Sequence, residues 1–100
     1  MQAAMGRETR LFKTEERMGR EAAARMLREI ADRIESGRIV LRTAGNELVM
    51  EPPQQVVFEV QAEREEGSSG PSELKLEIEV SWAEGTSDDA LPTKGTLELG

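Results

Sequence analysis

The sequence predicts an α+β fold, in which one amphipathic helix packs on one face of a four-stranded antiparallel meander sheet (α-β-β-β-β). Apolar residues recur every three or four positions in the first third of the chain, and every second position afterwards. The four strand candidates are separated by short connections, which favours antiparallel neighbours and a two-layer sandwich. A length of 100 residues fits a single domain.

The helix is predicted over residues 15–36. Its apolar side consists of Met18, Ala22, Ala23, Met26, Leu27, Ile30, Ala31 and Ile34. Thr14 is the expected N-cap, because Glu15 and Glu16 follow in the first turn, where the helix dipole favours acidic side chains. Gly37 is expected just beyond the end of the helix, in the left-handed conformation that terminates many helices.

The first two strands form a predicted hairpin. Its inward residues are Ile39 and Leu41 on one strand and Leu48 and Met50 on the next. Two loops fit the sequence between them. Gly45 and Asn46 suit a two-residue type II′ loop, whereas a longer loop places Arg42 opposite Glu47. Pro52 and Pro53 end the second strand, because proline cannot donate a hydrogen bond to a sheet.

The last two strands are expected to run about nine residues each. Val56, Phe58, Val60 and Ala62 share one face of the third strand. In "SELKLEIEVSW" (residues 72–82), the inward set is Leu74, Leu76, Ile78, Val80 and Trp82. Two registers match these faces. One pairs Glu59 with Glu77 and Glu63 with Glu73, and the other pairs Glu59 with Glu79 and Glu63 with Lys75. Glu59 therefore faces another glutamate in both registers.

Three segments follow from these elements. Residues 1–13 are expected to be loosely ordered, residues 14–82 to form the domain, and residues 83–100 to form a polar, mobile tail. Within the tail, residues 96–99 are a candidate for a short edge strand.

The composition argues against an enzyme. The chain has no histidine and no cysteine, so the commonest general base, the commonest metal ligand and the thiolate nucleophile are all missing. We therefore expect no catalytic, cofactor-binding or metal-binding residues. The absence of cysteine, of a signal-peptide pattern and of a membrane-spanning apolar run leads us to expect a cytoplasmic protein.

Charge is concentrated in the second half of the chain. Residues 1–50 contain ten basic and eight acidic residues, whereas residues 51–100 contain three and twelve. The outward residues of the last two strands form the candidate interaction surface: Glu59, Glu63, Glu73, Lys75, Glu77 and Glu79. Such a surface keeps a protein soluble, docks a basic partner or binds a divalent cation, and the sequence leaves these three readings open.

Trp82 lies on the same side of its strand as the apolar residues. We expect it to close the core near Ile30, Ile34 and Ile39, and the alternative role is a stacking platform for a ligand.

The predicted function is a non-catalytic interaction or assembly module. Its fourth strand lies at the sheet edge, and we expect a weak homodimer or a protein partner at residues 72–82. The sequence argues against nucleic acid, a membrane or a small molecule as the partner. The alternative function is a small regulatory or nucleic-acid-associated factor that uses the arginine-bearing face of the helix, which includes Arg25, Arg28 and Arg33.

The order and spacing of four segments resemble a known family. "AARMLREIADRIESG", "NELVMEP", "VVFEVQAE" and "ELKLEIEVSW" are similar to the amphi-Trp domain, a small prokaryotic family named for an amphipathic last strand that ends in tryptophan. The resemblance covers residues 11–82, with Pro52, Pro53 and the tail outside the pattern. It implies a fold and no active-site residues, because the family has no established activity.

Overall fold

The structure is a computed structural model that describes residues 7–85 and 93–100. Its elements follow the order α1 (Arg20–Ser36), β1 (Ile39–Thr43), β2 (Asn46–Met50), β3 (Val57–Glu65) and β4 (Glu73–Ser81). The chain divides into two compact units, Met1–Glu51 with α1, β1 and β2, and Pro52–Gly100 with β3 and β4. One helix followed by four strands confirms the α+β class.

The helix begins later than predicted. Arg20 is its first residue, and Gly19 precedes it in an extended conformation (φ −69°, ψ 155°) without a side-chain cap. Thr14 is therefore not the N-cap, and Met18 lies outside the helix. The physical reason is Gly19, since a glycine inside a helix costs about 1 kcal/mol relative to alanine.

The C-terminus of α1 confirms the prediction for Gly37. This glycine is left-handed (φ 86°, ψ 11°), and its N–H donates to the carbonyl oxygens of Arg33 at 3.1 Å and Ile34 at 3.0 Å. The N–H of Arg38 also donates to the Arg33 oxygen, at 3.2 Å. These bonds form a Schellman motif, which satisfies carbonyls that the helix itself leaves unpaired.

β1 and β2 form an antiparallel hairpin. Its register pairs Ile39 with Met50, Leu41 with Leu48, Arg42 with Glu47, and Thr43 with Asn46. The arrangement with Arg42 opposite Glu47 is therefore correct, but its loop has only two residues, Ala44 and Gly45. The type II′ loop at Gly45 and Asn46 is wrong, because Asn46 belongs to β2. Arg42 Nε lies 3.4 Å from Glu47 Oε2, so this register gains an ion pair.

β3 and β4 form a second antiparallel hairpin of nine residues on each strand, as predicted. Phe58 pairs with Val80, Val60 with Ile78 and Ala62 with Leu76, so the two apolar sets share one face. Glu59 pairs with Glu79 and Glu63 with Lys75, which is the second of the two registers predicted.

The four strands form two separate two-stranded sheets, β1–β2 and β3–β4. Antiparallel pairing is confirmed for β1 with β2 and for β3 with β4, whereas a single four-stranded meander stays a prediction. Among the described residues, Ile39 is the one buried hydrophobic side chain (8% exposed), at the start of β1, which α1 contacts. Within the same residues, no helix is long and apolar enough to cross a membrane.

The segments outside these elements are irregular where the structure describes them. Residues 7–19 contain no helix or strand, although the Leu11 carbonyl accepts a hydrogen bond from Asn46 Nδ2 at 3.2 Å. Residues 93–100 contain none either, so the edge strand predicted at residues 96–99 is wrong. The remaining parts of the two predicted terminal segments, residues 1–6 and 86–92, lie outside the described residues.

Candidate functional site

The pairing of β3 with β4 brings the predicted surface residues together on one side of the hairpin. We call this side the acidic face. It consists of Glu59, Gln61, Glu63 and Glu65 on β3, opposite Glu79, Glu77, Lys75 and Glu73 on β4. Directly paired residues of an antiparallel sheet have Cβ atoms about 4.5–5.5 Å apart, so these side chains interact across the strands.

Glu65 and Gln61 also belong to the acidic face, in addition to the six residues predicted for it. Glu65 lies two residues beyond Glu63 and therefore points to the same side of β3, a signal that the alternation already contains. Gln61 Nε2 donates to Glu63 Oε2 at 2.7 Å and to Glu77 Oε1 at 3.4 Å. The amide thus links carboxylates on the two strands.

Lys75 is the single cation among the residues of the acidic face. Its Nζ lies 3.0 Å from Glu65 Oε1, diagonally across the sheet. The hydrogen bond with Glu65, and then the charge of Glu65, raise the pKa of Lys75 above its ordinary value of 10.5. Desolvation opposes them, and the charges of Glu63 and Glu73 add smaller increases. The ammonium is therefore directed towards β3 and away from the outer edge of β4.

Two like-charge pairs remain on the acidic face. Glu59 lies opposite Glu79, and Glu65 lies opposite Glu73. In the described part of the chain, no side-chain hydrogen bond or ion pair involves Glu59, Glu73 or Glu79. Directly opposed like charges destabilise a sheet, so this face carries a local cost in stability.

The other side of the hairpin is apolar except at Arg64, which pairs with Leu74. Its apolar residues are Phe58, Val60, Ala62, Leu74, Leu76, Ile78 and Val80. Leu74 and Leu76 are 79% and 69% exposed, while Val80, near the other end of β4, and Trp82, the residue after that strand, are half-buried. The role of Trp82 as a core plug stays a prediction.

The two outer edges of this hairpin have different surroundings. Beside β3, residues 93–97 and residues 56–60 line an open cleft of about 860 Å³. Residues 93–97 form no strand, so this segment does not pair with β3. Among the strands that the structure describes, β4 pairs with β3 alone.

The described residues contain no group of three or more His, Cys, Asp or Glu side chains placed to hold a metal ion. Ser72 Oγ donates to Glu66 Oε1 at 3.1 Å, but a carboxylate alone is a weak base for activating a serine. On α1, Arg25, Arg28 and Arg33 are exposed, and the ion pairs of the described residues involve none of them.

Comparison with known protein families gives a match over most of the chain. The model of the Amphi-Trp domain matches residues 5–100. The chain belongs to the amphi-Trp domain family. The amphi-Trp match confirms the resemblance seen in the sequence and extends it, because Pro52, Pro53 and the tail beyond Trp82 all lie inside the matched range. No curated protein and no solved structure matches this amphi-Trp domain.

Proposed function

We propose that this amphi-Trp domain is a non-catalytic protein-interaction module that contacts its partner through the outer edge of β4 or through the acidic face. The observation that carries the proposal is the edge of β4. This strand has nine residues and pairs on one side only among the described strands. Every second residue of such a strand points its N–H and C=O groups away from its neighbour, where they are available to another chain.

The usual protections of an edge strand are weak on β4. Proteins shield edges with lysines, prolines or β-bulges. β4 contains no proline, and its register with β3 is continuous from Glu73 to Ser81. Its one lysine, Lys75, is engaged by Glu65. A strand that is long, regular and poorly protected supports a role in pairing with a partner.

We further propose that the two hairpins join into one four-stranded meander, with β2 beside β3 and α1 covering the apolar side. Exposure of apolar side chains in each unit supports this arrangement. Met26 and Leu27 of α1 are about half exposed, and so are Phe58 and Ile78. In such a sheet β1 and β4 are the edges, and Trp82 closes the core against the last turns of the helix.

A second candidate function is binding of nucleic acid by the helix. The arginines that form no ion pair in the described residues favour it. Against it, the unit Met1–Glu51 contains ten basic and nine acidic residues, so its net charge is small. Binding through phosphate contacts requires an affinity that falls steeply with salt. A salt titration on duplex DNA, with Arg25→Gln/Arg28→Gln as the variant, tests this candidate directly.

Amide hydrogen exchange tests whether the β4 edge is open. We expect alternate amides of β4 to exchange rapidly in the dilute protein, while the amides between them, bonded to β3, remain protected. Sedimentation over a range of concentrations then shows whether two copies associate. Protection of all β4 amides in a strict monomer would mean that the edge is closed within one chain, which would overturn the proposal.

Adjacent proline substitutions provide a matched pair. Successive N–H groups of a strand point to opposite sides, so one of Glu77→Pro and Ile78→Pro removes a hydrogen bond to β3 and the other removes only an outward donor. One variant should lose stability. The other should keep most of its stability and lose any association that uses the edge.

A further inference from the structure

We propose that the outer edge of β4 accepts an extended segment in which apolar residues alternate with lysine or arginine. This inference rests on the proposed function and names the chemistry of the partner. The docking site is the row of backbone donors and acceptors along the strand, and the side chains beside that row select what pairs with it. Recognition by addition of a strand works in this way, with main-chain bonds for affinity and alternate side chains for specificity.

The charges beside the edge are negative. Glu73, Glu77 and Glu79 lie on the acidic face of β4, within one strand spacing of an added strand, which would lie about 4.8 Å away. Lys75 contributes little to this edge, because its ammonium lies 3.0 Å from a carboxylate on β3. A partner strand therefore meets three glutamates that no described ion pair neutralises.

A second copy of the chain is a poor occupant for the same reason. When β4 pairs antiparallel with itself about Glu77, it sets Lys75 against Glu79 twice, but it also places Glu77 against Glu77. Each Lys75 would in addition have to leave Glu65 to make the new contact. Pairing about Leu76 sets Lys75 against Glu77 twice, but it also sets Glu73 against Glu79 twice, and each Lys75 would again have to leave Glu65. A cationic strand has neither conflict.

The opposite side of β4 requires apolar residues in the partner. Leu74, Leu76 and Ile78 alternate with the glutamates, and they are 79%, 69% and 45% exposed. A strand with apolar residues facing these side chains continues the apolar side of the hairpin. The two requirements together define an alternating apolar and cationic segment.

Synthetic nonapeptides test this pattern on the full-length chain. Three peptides alternate valine with lysine, glutamine or glutamate, and a fourth has the composition of the lysine peptide with its lysines grouped at one end. We expect the alternating lysine peptide to bind about tenfold more tightly than the glutamine peptide at low salt, from three opposite-charge pairs across the strands. Added salt should reduce this difference, and the glutamate peptide should bind most weakly.

Two further measurements locate the binding. The lysine peptide should protect the rapidly exchanging amides of β4, and Glu77→Lys/Glu79→Lys should reverse the preference towards the glutamate peptide. Equal binding of the grouped and alternating lysine peptides would overturn the inference, because it would indicate attraction to an acidic cluster. So would a failure of the lysine peptide to bind while the β4 amides exchange freely, and that outcome leaves the open edge of the proposed function intact.

Discussion

Replacing Glu59 with lysine should stabilise the protein. Glu59 lies directly opposite Glu79, and no ion pair of the described residues involves either carboxylate. A like-charge pair across two strands destabilises, and an opposite-charge pair stabilises, by about 0.2–1 kcal/mol each. Exchanging one for the other should therefore raise the free energy of unfolding by about 1 kcal/mol, which corresponds to about 4–8 °C in Tm for a domain of this size.

Thermal unfolding followed by circular dichroism at about 10 mM salt measures this gain, since the Debye length is then about 30 Å. Glu51→Lys is the matched control, because it changes the net charge equally at an exposed residue outside the strands. Wild-type Tm should rise with sodium chloride, and the advantage of Glu59→Lys should shrink. Equal gains from both variants, or a wild-type Tm that ignores salt, would refute the pairing argument.

Three other substitutions test separate parts of the structure. Trp82→Ala should cost about 3–5 kcal/mol, the range for large aromatic side chains in cores, and native indole emission should be blue-shifted; solvent-like emission with an unchanged Tm would contradict the core plug. Gly37→Ala should cost about 1–2 kcal/mol of stability from left-handed strain alone, because nothing lies within 4 Å of an added Cβ. Gly37→Asn should lose less stability, and equal losses from the two variants would argue against backbone strain at this position. The pKa of Lys75 is raised in the folded state, so its stabilising contribution is present below pH 10.5 and is lost as the pH rises through the folded pKa. Lys75→Met should lack this loss of stability at alkaline pH. Identical thermal unfolding of the variant and the wild type at alkaline pH would contradict the contact with Glu65.

The second hairpin was largely predictable because its signals are local. Strict alternation in residues 72–82 sets the faces of β4, and matching those faces leaves only two registers. Charge distinguishes them, because the observed register places Lys75 opposite Glu63 and diagonal to Glu65. The acidic face therefore follows from the sequence almost completely, including Glu65, which the parity of β3 already specifies.

The predictions that are wrong concern the helix start and the first hairpin loop, where one local sequence pattern competes with another. Thr14, Glu15 and Glu16 form a plausible helix start, but the helix begins only after Gly19, which is extended, so Met18 is left outside it. Gly45 and Asn46 are typical of a hairpin turn, yet the pairing of Arg42 with Glu47 moves Asn46 into β2. Periodicity and turn residues do not specify whether β2 pairs with β3, because each hairpin has a complete register of its own without that pairing.

The contact between Lys75 and Glu65 also affects the chemical reactivity of the Lys75 amine. Acylating reagents attack the neutral amine, and the raised pKa of Lys75 lowers the fraction of amine in that form. Lys75 should therefore react more slowly than a lysine of ordinary pKa. Acetylation removes the charge of a lysine, so a modified Lys75 would leave Glu65 facing Glu73 with no cation between them. A single acetyl group would thus remove the one cation of the acidic face and weaken the pairing of β3 with β4 at the end that meets their loop.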